Sequence, residues 1–258
     1  MTRFVLIVSI ILISISVAAQ NTSDTINQTN GKGQKTGYWE QHYPNGNLRY
    51  KGYFKAGKPV GEFKRFFPNG KTKALMIFKE NKPFTRATLY HENGKKAAEG
   101  FYVRQQKDST WKYYDNEGNL SSVEHWENGK KDGIAKAFYQ DGSLVELVHW
   151  KNGKKQGLWK TFYPDSSIRS EVKYEDGKLN GFFNFYFQSG RPRITGKYKE
   201  GVKTEEWKYY NRQGEIAASA IYEEGKPKNM EGDKTLIPEY SGDLDNRVKE
   251  DPFKDLYQ

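Results

Sequence analysis

The sequence predicts an all-β fold: an elongated, single-sheet antiparallel meander of eight β-hairpin repeats of 24 residues each. Three observations point to it. A glycine recurs in phase at Gly46, Gly70, Gly94, Gly118, Gly142, Gly190 and Gly214, with Ser166 in the one remaining slot. An aromatic residue fills every copy of a second slot: Phe54, Phe78, Tyr102, Trp126, Trp150, Tyr174, Tyr198 and Tyr222. Gly and Pro interrupt every stretch long enough for a helix. A strict period in this size range marks a repeat array.

The chain opens on Met1–Gln20, where Arg3 precedes an apolar run and Val17-Ala18-Ala19 supplies small residues. The run is shorter than the roughly 20 residues a membrane span needs, so residues 1–19 read as a signal peptide cleaved near Ala19. An uncleaved anchor is the alternative. The expected location is extracytoplasmic, periplasmic or secreted. Residues 20–36 are polar and read as a flexible leader, with a half-repeat suggested by Gly33.

Residues 37–228 hold the repeats. In the first, Trp39–Tyr43 and Leu48–Phe54 read as two strands, joined by Pro44-Asn45-Gly46. Pro presets a type I turn and Gly takes the left-handed position after it. Gly57-Lys58-x-x-Gly61 reads as the turn to the next hairpin. The Trp39 slot recurs as Phe63, Ala87, Trp111, Ala135, Trp159, Phe183 and Trp207. Three residues on, His42, Phe66, Tyr90 and their copies fall on the opposite face by alternation. Small residues at Gly52, Gly100, Gly196 and Ala220 leave room for a neighbouring ring. Sixteen strands are expected, with like residues stacking in columns, stability additive along the array and the ends capped. Thr85, Ala87, Gln105 and Ser109 break the pattern and predict a kink or looser patch near Phe101–Trp111.

Residues 229–258 form an acidic tail expected to be flexible; from Glu231 on, eight acidic residues face four basic ones. The whole chain carries a net charge of +10, so the repeats are basic. That balance allows weak attraction to an anionic partner or to the tail itself. With no cysteine, disulfides and thiolate metal sites are excluded.

The segments Gly157–Tyr163 (GLWKTFY), Trp126–Gly133 (WENGKKDG) and Trp150–Gly157 (WKNGKKQG) resemble the MORN repeat in its variant bacterial form. The resemblance covers about three quarters of the chain. It implies β-hairpins in an extended, curved sheet that serves as a binding or scaffolding module, with lipid binding proposed for some members. Bacterial variants often carry an antitoxin label, which fits a secreted chain poorly.

No catalytic constellation is found, and no metal or cofactor is expected. His125 and His149 share one slot, but one period places their backbones about 9–10 Å apart, too far for easy ligation of one zinc. Glu205-Glu206 and Glu223-Glu224 read as solvated surface. The candidate ligand-binding residues are Lys64, Lys112, Lys136, Lys160 and Lys208, together with Trp126 and Trp150. The in-phase glycines, with Trp39, Trp111, Trp159 and Trp207, are structural. The Lys stems also suit a purely structural role, covering ring edges. Short strands, Lys on the strand face and equally short turns argue against a membrane barrel. The expected function is a monomeric, non-enzymatic scaffold for a protein partner. An anionic glycan or lipid of the cell envelope is the alternative and an antitoxin-like neutralising role the second; nucleic acid is not expected.

Overall fold

The computed structural model describes residues 25–80 and 82–233, so the leader peptide, Asn81 and the tail from 234 lie outside the described residues. It is a single antiparallel meander. The strands are β1 (Gln28–Thr29), β2 (Lys35–His42), β3 (Leu48–Lys55), β4 (Lys58–Phe66), β5 (Thr72–Phe78) and β6 (Phe84–Tyr90). There follow β7 (Lys96–Val103), β8 (Gln106–Tyr114), β9 (Leu120–Glu127), β10 (Lys130–Lys131), β11 (Gly133–Phe138) and β12 (Leu144–Lys151). The last are β13 (Lys154–Phe162), β14 (Ile168–Glu175), β15 (Lys178–Tyr186), β16 (Pro192–Lys199), β17 (Val202–Tyr210), β18 (Ile216–Glu223) and β19 (Lys226–Gly232). Each pairs with its neighbours in sequence, except that β9 pairs with both β10 and β11, the two pieces of one interrupted strand. The count exceeds the expected sixteen because of β1, that interruption, and β19, which continues four residues past the predicted end of the repeats.

The Pro-Asn-Gly turn forms as predicted. Tyr43 O accepts from Gly46 N at 2.9 Å, Tyr43 N donates to Asn47 O at 2.8 Å, and Gly46 has φ 84°. These turns are tied along the sheet edge, one repeat to the next. Tyr43 Oη donates to Phe66 O and Tyr163 Oη to Tyr186 O, at 2.9 and 2.7 Å.

The second connection differs from the expected Gly57-to-Gly61 turn. Lys55 pairs with Lys58, so the loop is only Ala56-Gly57, with φ of 48° and 80°. Two consecutive left-handed residues make a type I′ turn, whose twist matches that of the flanking strands. Gly61 lies inside β4, at φ 69°, within a bulge where the register shifts between Gly52 and Tyr53. Sequence spacing alone merges these two adjacent left-handed features into one turn. Thr85 occupies the Gly61 slot in β6, and the β5–β6 ladder runs without a register shift.

Paired residues share a face, so the ladders assign every side chain. The ring face carries the Trp39 and Phe54 slots; the reverse face carries the Lys64 slot. Like residues stack only locally: copies of one slot have backbones two strands apart, about 9–10 Å, a gap that the rings of Phe183 and Trp207 bridge at 5.3 Å between centroids. The two slots also interdigitate. Phe63 meets Phe54 and Phe78 edge-on at 5.7 and 6.2 Å, and Trp207 meets Tyr198 and Tyr222 at 5.1 and 6.0 Å. Edge-to-face contact suits the ring quadrupoles.

The expected looser patch near Phe101–Trp111 is instead the tightest part of the sheet. Trp111, Ala87, Leu89 and Ala98 are fully buried, and Tyr102 is buried. Ala87 in the Trp slot, with Ala97 and Ala98, provides small neighbours around one large indole, so degeneracy in the repeat improves packing there. Residues 25–36, expected to be flexible, also contribute structure. The strand β1 pairs with β2, and Trp39 Nε1 donates to Gln28 O at 2.9 Å.

Candidate functional site

The two faces differ in chemistry. On the reverse face, Lys64, Lys112, Lys136, Lys160 and Lys208 form the row expected from the sequence, each opposite the central residues of its neighbouring strands. Acids partly neutralise this row. Lys64 Nζ lies 2.7 Å from Glu62, Lys160 Nζ 2.5 Å from Glu171, and Lys208 Nζ 3.0 Å from Glu206, whose hydrogen bond raises the pKa of Lys208. Glu99 faces Lys112 across the β7–β8 ladder and is held below the usual carboxylate range, chiefly by the hydrogen bond from Tyr114 Oη at 2.7 Å. Burial and Glu99 together push the Tyr114 phenol up to about 12.

Trp126 and Trp150 are not brought together with that row. Trp126 follows Glu124, which pairs with Trp111, so both belong to the ring face. Trp150 packs against the buried cluster containing Trp159 and Tyr174. The remaining Trp39-slot residues lie there too, with Trp111, Trp159 and Trp207 buried.

A different lysine row, missed in the sequence, lies among the rings. Lys35, Lys107, Lys131, Lys155 and Lys203 share one phase, with Pro59, Pro83, Leu179 and Pro227 in the other slots. Lys107 Nζ sits 4.8, 5.2 and 5.1 Å from the rings of Trp111, Tyr113 and Trp126, and it donates to Tyr113 Oη at 2.9 Å. Lys155 Nζ lies 4.5 Å from the Trp159 ring and Lys203 Nζ 4.4 Å from that of Trp207. Desolvation lowers the Lys203 pKa. Lys131 bridges Trp126 and Trp150 and pairs with Glu124 at 2.6 Å. A cation over a ring face gains electrostatically from the quadrupole. The signal was present, since five of nine in-phase positions are Lys. It fell in the segment read as turn, where Lys suggests solvent.

The reverse face also exposes large apolar side chains. Tyr53, Phe101, Ile134, Phe182 and Ile221 are 53, 40, 38, 39 and 43% exposed. The ladders put all five in two facing slots, beside the acid-paired lysines, along the length of the sheet. His125 and His149 both lie in the slot of Tyr53, Phe101 and Ile221. His125 Nδ1 is 3.2 Å from Thr110 Oγ1, and His149 Nδ1 is 3.1 Å from Leu158 O. No group of three or more His, Asp or Glu among the described residues could hold a metal ion. Nor is any helix among them long and apolar enough to cross a membrane.

These features define a class before any family: an open β-hairpin repeat scaffold with a packed ring face and an accessible reverse face. The family model for the MORN repeat variant matches residues 35–56, 59–80, 86–104, 131–152 and 155–176, and the chain belongs to the MORN-repeat proteins. MORN repeats are generally protein- or membrane-binding scaffolds and are not typically enzymatic. The matched segments cover the first three copies and two later ones; the ladders continue in the same pattern through β18. No curated protein matches the chain as a relative.

Proposed function

We propose that this protein is a non-enzymatic, extracytoplasmic scaffold that holds a protein partner against the reverse face of its sheet. The observation that carries this reading is the row Tyr53, Phe101, Ile134, Phe182 and Ile221, exposed in register along that face. Single exposed apolar residues are ordinary, but a recurring row of them marks an interaction surface. The neighbouring Lys–Glu pairs supply the polar rim such a surface needs. Their internal pairing disfavours a purely electrostatic hold on an anionic surface.

The test is capture from cell-envelope extract at low and high salt, using the parent chain and a Phe101→Asp/Phe182→Asp variant. The reading expects one protein retained at both salt concentrations by the parent and lost by the variant. Retention unaffected by the substitutions, or capture that vanishes with salt, rejects it. Fractionation of cells making the full chain checks the location; a cytoplasmic product rejects that part.

A further inference from the structure

At one end of the ring face four cations gather around a single hollow. Lys35 on β2, Arg49 on β3, Arg65 on β4 and Lys73 on β5 line one hollow of about 610 Å³. Arg49 and Lys73 occupy the extra position of the bulge beside each Pro-Asn-Gly turn, between Gln41 and His42 and between Arg65 and Phe66 in the facing strands. Arg65 pairs with Tyr50, which sets both on the same side. Tyr50 is backed by Phe63, the rings stacked at 5.4 Å and 26°, and Lys35 Nζ donates to Tyr50 Oη at 2.6 Å. No Asp or Glu is among the described residues lining the hollow. The next three copies of the Arg49 slot hold Ala97, Ser121 and Val145, and the slot turns basic again at Arg169 and Arg193, which lie over the Phe185 ring.

We propose that this hollow binds an acidic oligosaccharide, one bearing uronate or sulfate groups. The geometry offers two chemistries together. The cations around the wall match acid groups, and guanidinium forks suit carboxylate and sulfate in particular. The partly exposed Tyr50 ring, backed by buried Phe63, offers a flat apolar surface, which a sugar ring covers with its C–H face. A free phosphate would use the cations and leave the rings bare. An acidic peptide carries its carboxylates on flexible stems and has no flat body to lay on the rings. The volume falls in the range of small-ligand sites, about 300–1,000 Å³. The site lies on the ring face, so this proposal and the protein-partner reading can fail separately.

The experiment is isothermal titration of the full chain with oligogalacturonate and with a chondroitin sulfate oligosaccharide. A neutral malto-oligosaccharide, a poly-glutamate peptide, inorganic phosphate and phosphatidylglycerol vesicles run in parallel. At least one acidic sugar should bind, and Arg49→Gln/Lys73→Gln should weaken it by about tenfold or more. Gln41→Glu, an exposed lining position, should weaken it too while the strand circular dichroism is unchanged. Lys64→Gln/Lys160→Gln on the reverse face should leave the affinity within about twofold. Failure of both acidic sugars to bind, equal binding of the neutral sugar, or equal loss in the reverse-face variant overturns the proposal. Tighter binding of poly-glutamate, phosphate or vesicles overturns it in favour of that ligand.

Discussion

The indole of Trp111 lies so close to the backbone of Gly100 that a Cβ built on the glycine would fall 2.4 Å from Trp111 Cδ2. The same relationship joins Trp207 to Gly196, at 2.3 Å, and Phe63 to Gly52, at 2.4 Å. A single sheet has no second layer to cover its rings, so the rings must lie down on the neighbouring strand. Glycine permits this, and the indole N–H then reaches a carbonyl of that strand: Trp111 Nε1 donates to Phe101 O at 3.0 Å and Trp207 Nε1 to Lys197 O at 3.2 Å.

Gly100→Ala should therefore destabilise the protein by about 3 kcal/mol, because the buried indole cannot retreat from the new methyl. Gly31→Ala, which meets nothing within 4 Å, should change stability by less than about 0.5 kcal/mol. Urea unfolding of both variants checks the contrast.

Ser166 occupies the glycine slot of its turn at φ 66°, a conformation costly for any residue with a Cβ. Ser166→Gly should stabilise by about 0.5–1 kcal/mol, the relief of that strain less the added freedom of the unfolded chain. A shift of the urea midpoint at unchanged slope is the expected reading.

The two lysine rows should respond differently to truncation. Lys107 is buried over three rings, so Lys107→Ala removes both packing and the cation–ring attraction, costing about 2 kcal/mol. Lys64 is partly exposed and ion-paired, and Lys64→Ala should cost under about 0.5 kcal/mol. Equal losses in thermal unfolding would refute the distinction between the rows.

Acid should act through Glu99. Its pKa is lowered in the folded state from 4.5, by Tyr114 first and then by Lys96, whose ammonium lies 3.0 Å away. The contact therefore stabilises above about pH 4.5 and is lost as pH falls through the depressed value. Glu99→Gln should flatten the acid limb of a stability–pH curve. Tyr114 gives the alkaline counterpart. Its phenol is raised from 10.0 to about 12, so its contribution holds below pH 10 and disappears as pH climbs through about 12. Absorbance titration of tyrosinate in the parent and in Tyr114→Phe should locate that late-titrating group.

By itself the sequence determined the repeat, the hairpins, the Pro-Asn-Gly turn and the opposite facing of the two aromatic slots of the first strand. These follow from local rules: a period, residues that accept a given φ, and the alternation of a strand. The small slot at Gly52, Gly100 and Gly196 was also legible, because a residue without a side chain lets a neighbouring ring lie against the backbone. Tertiary structure alone decided what depends on register. The bulge at Gly61 leaves two residues of β4 unopposed, and the strand runs on past it to Lys58, so the slot of Lys35, Lys107, Lys131, Lys155 and Lys203 lies within a strand and over the rings instead of in a solvated turn. The ladder pairings also put Trp126 and Trp150 on the face opposite the lysine row first linked with them. The repeat that looked weakest packs best, since Ala87 and Ala98 are small only relative to their slots and are well sized beside Trp111. A period identifies the slots, but which side chains meet depends on the strand between two copies, and only the folded ladder supplies that.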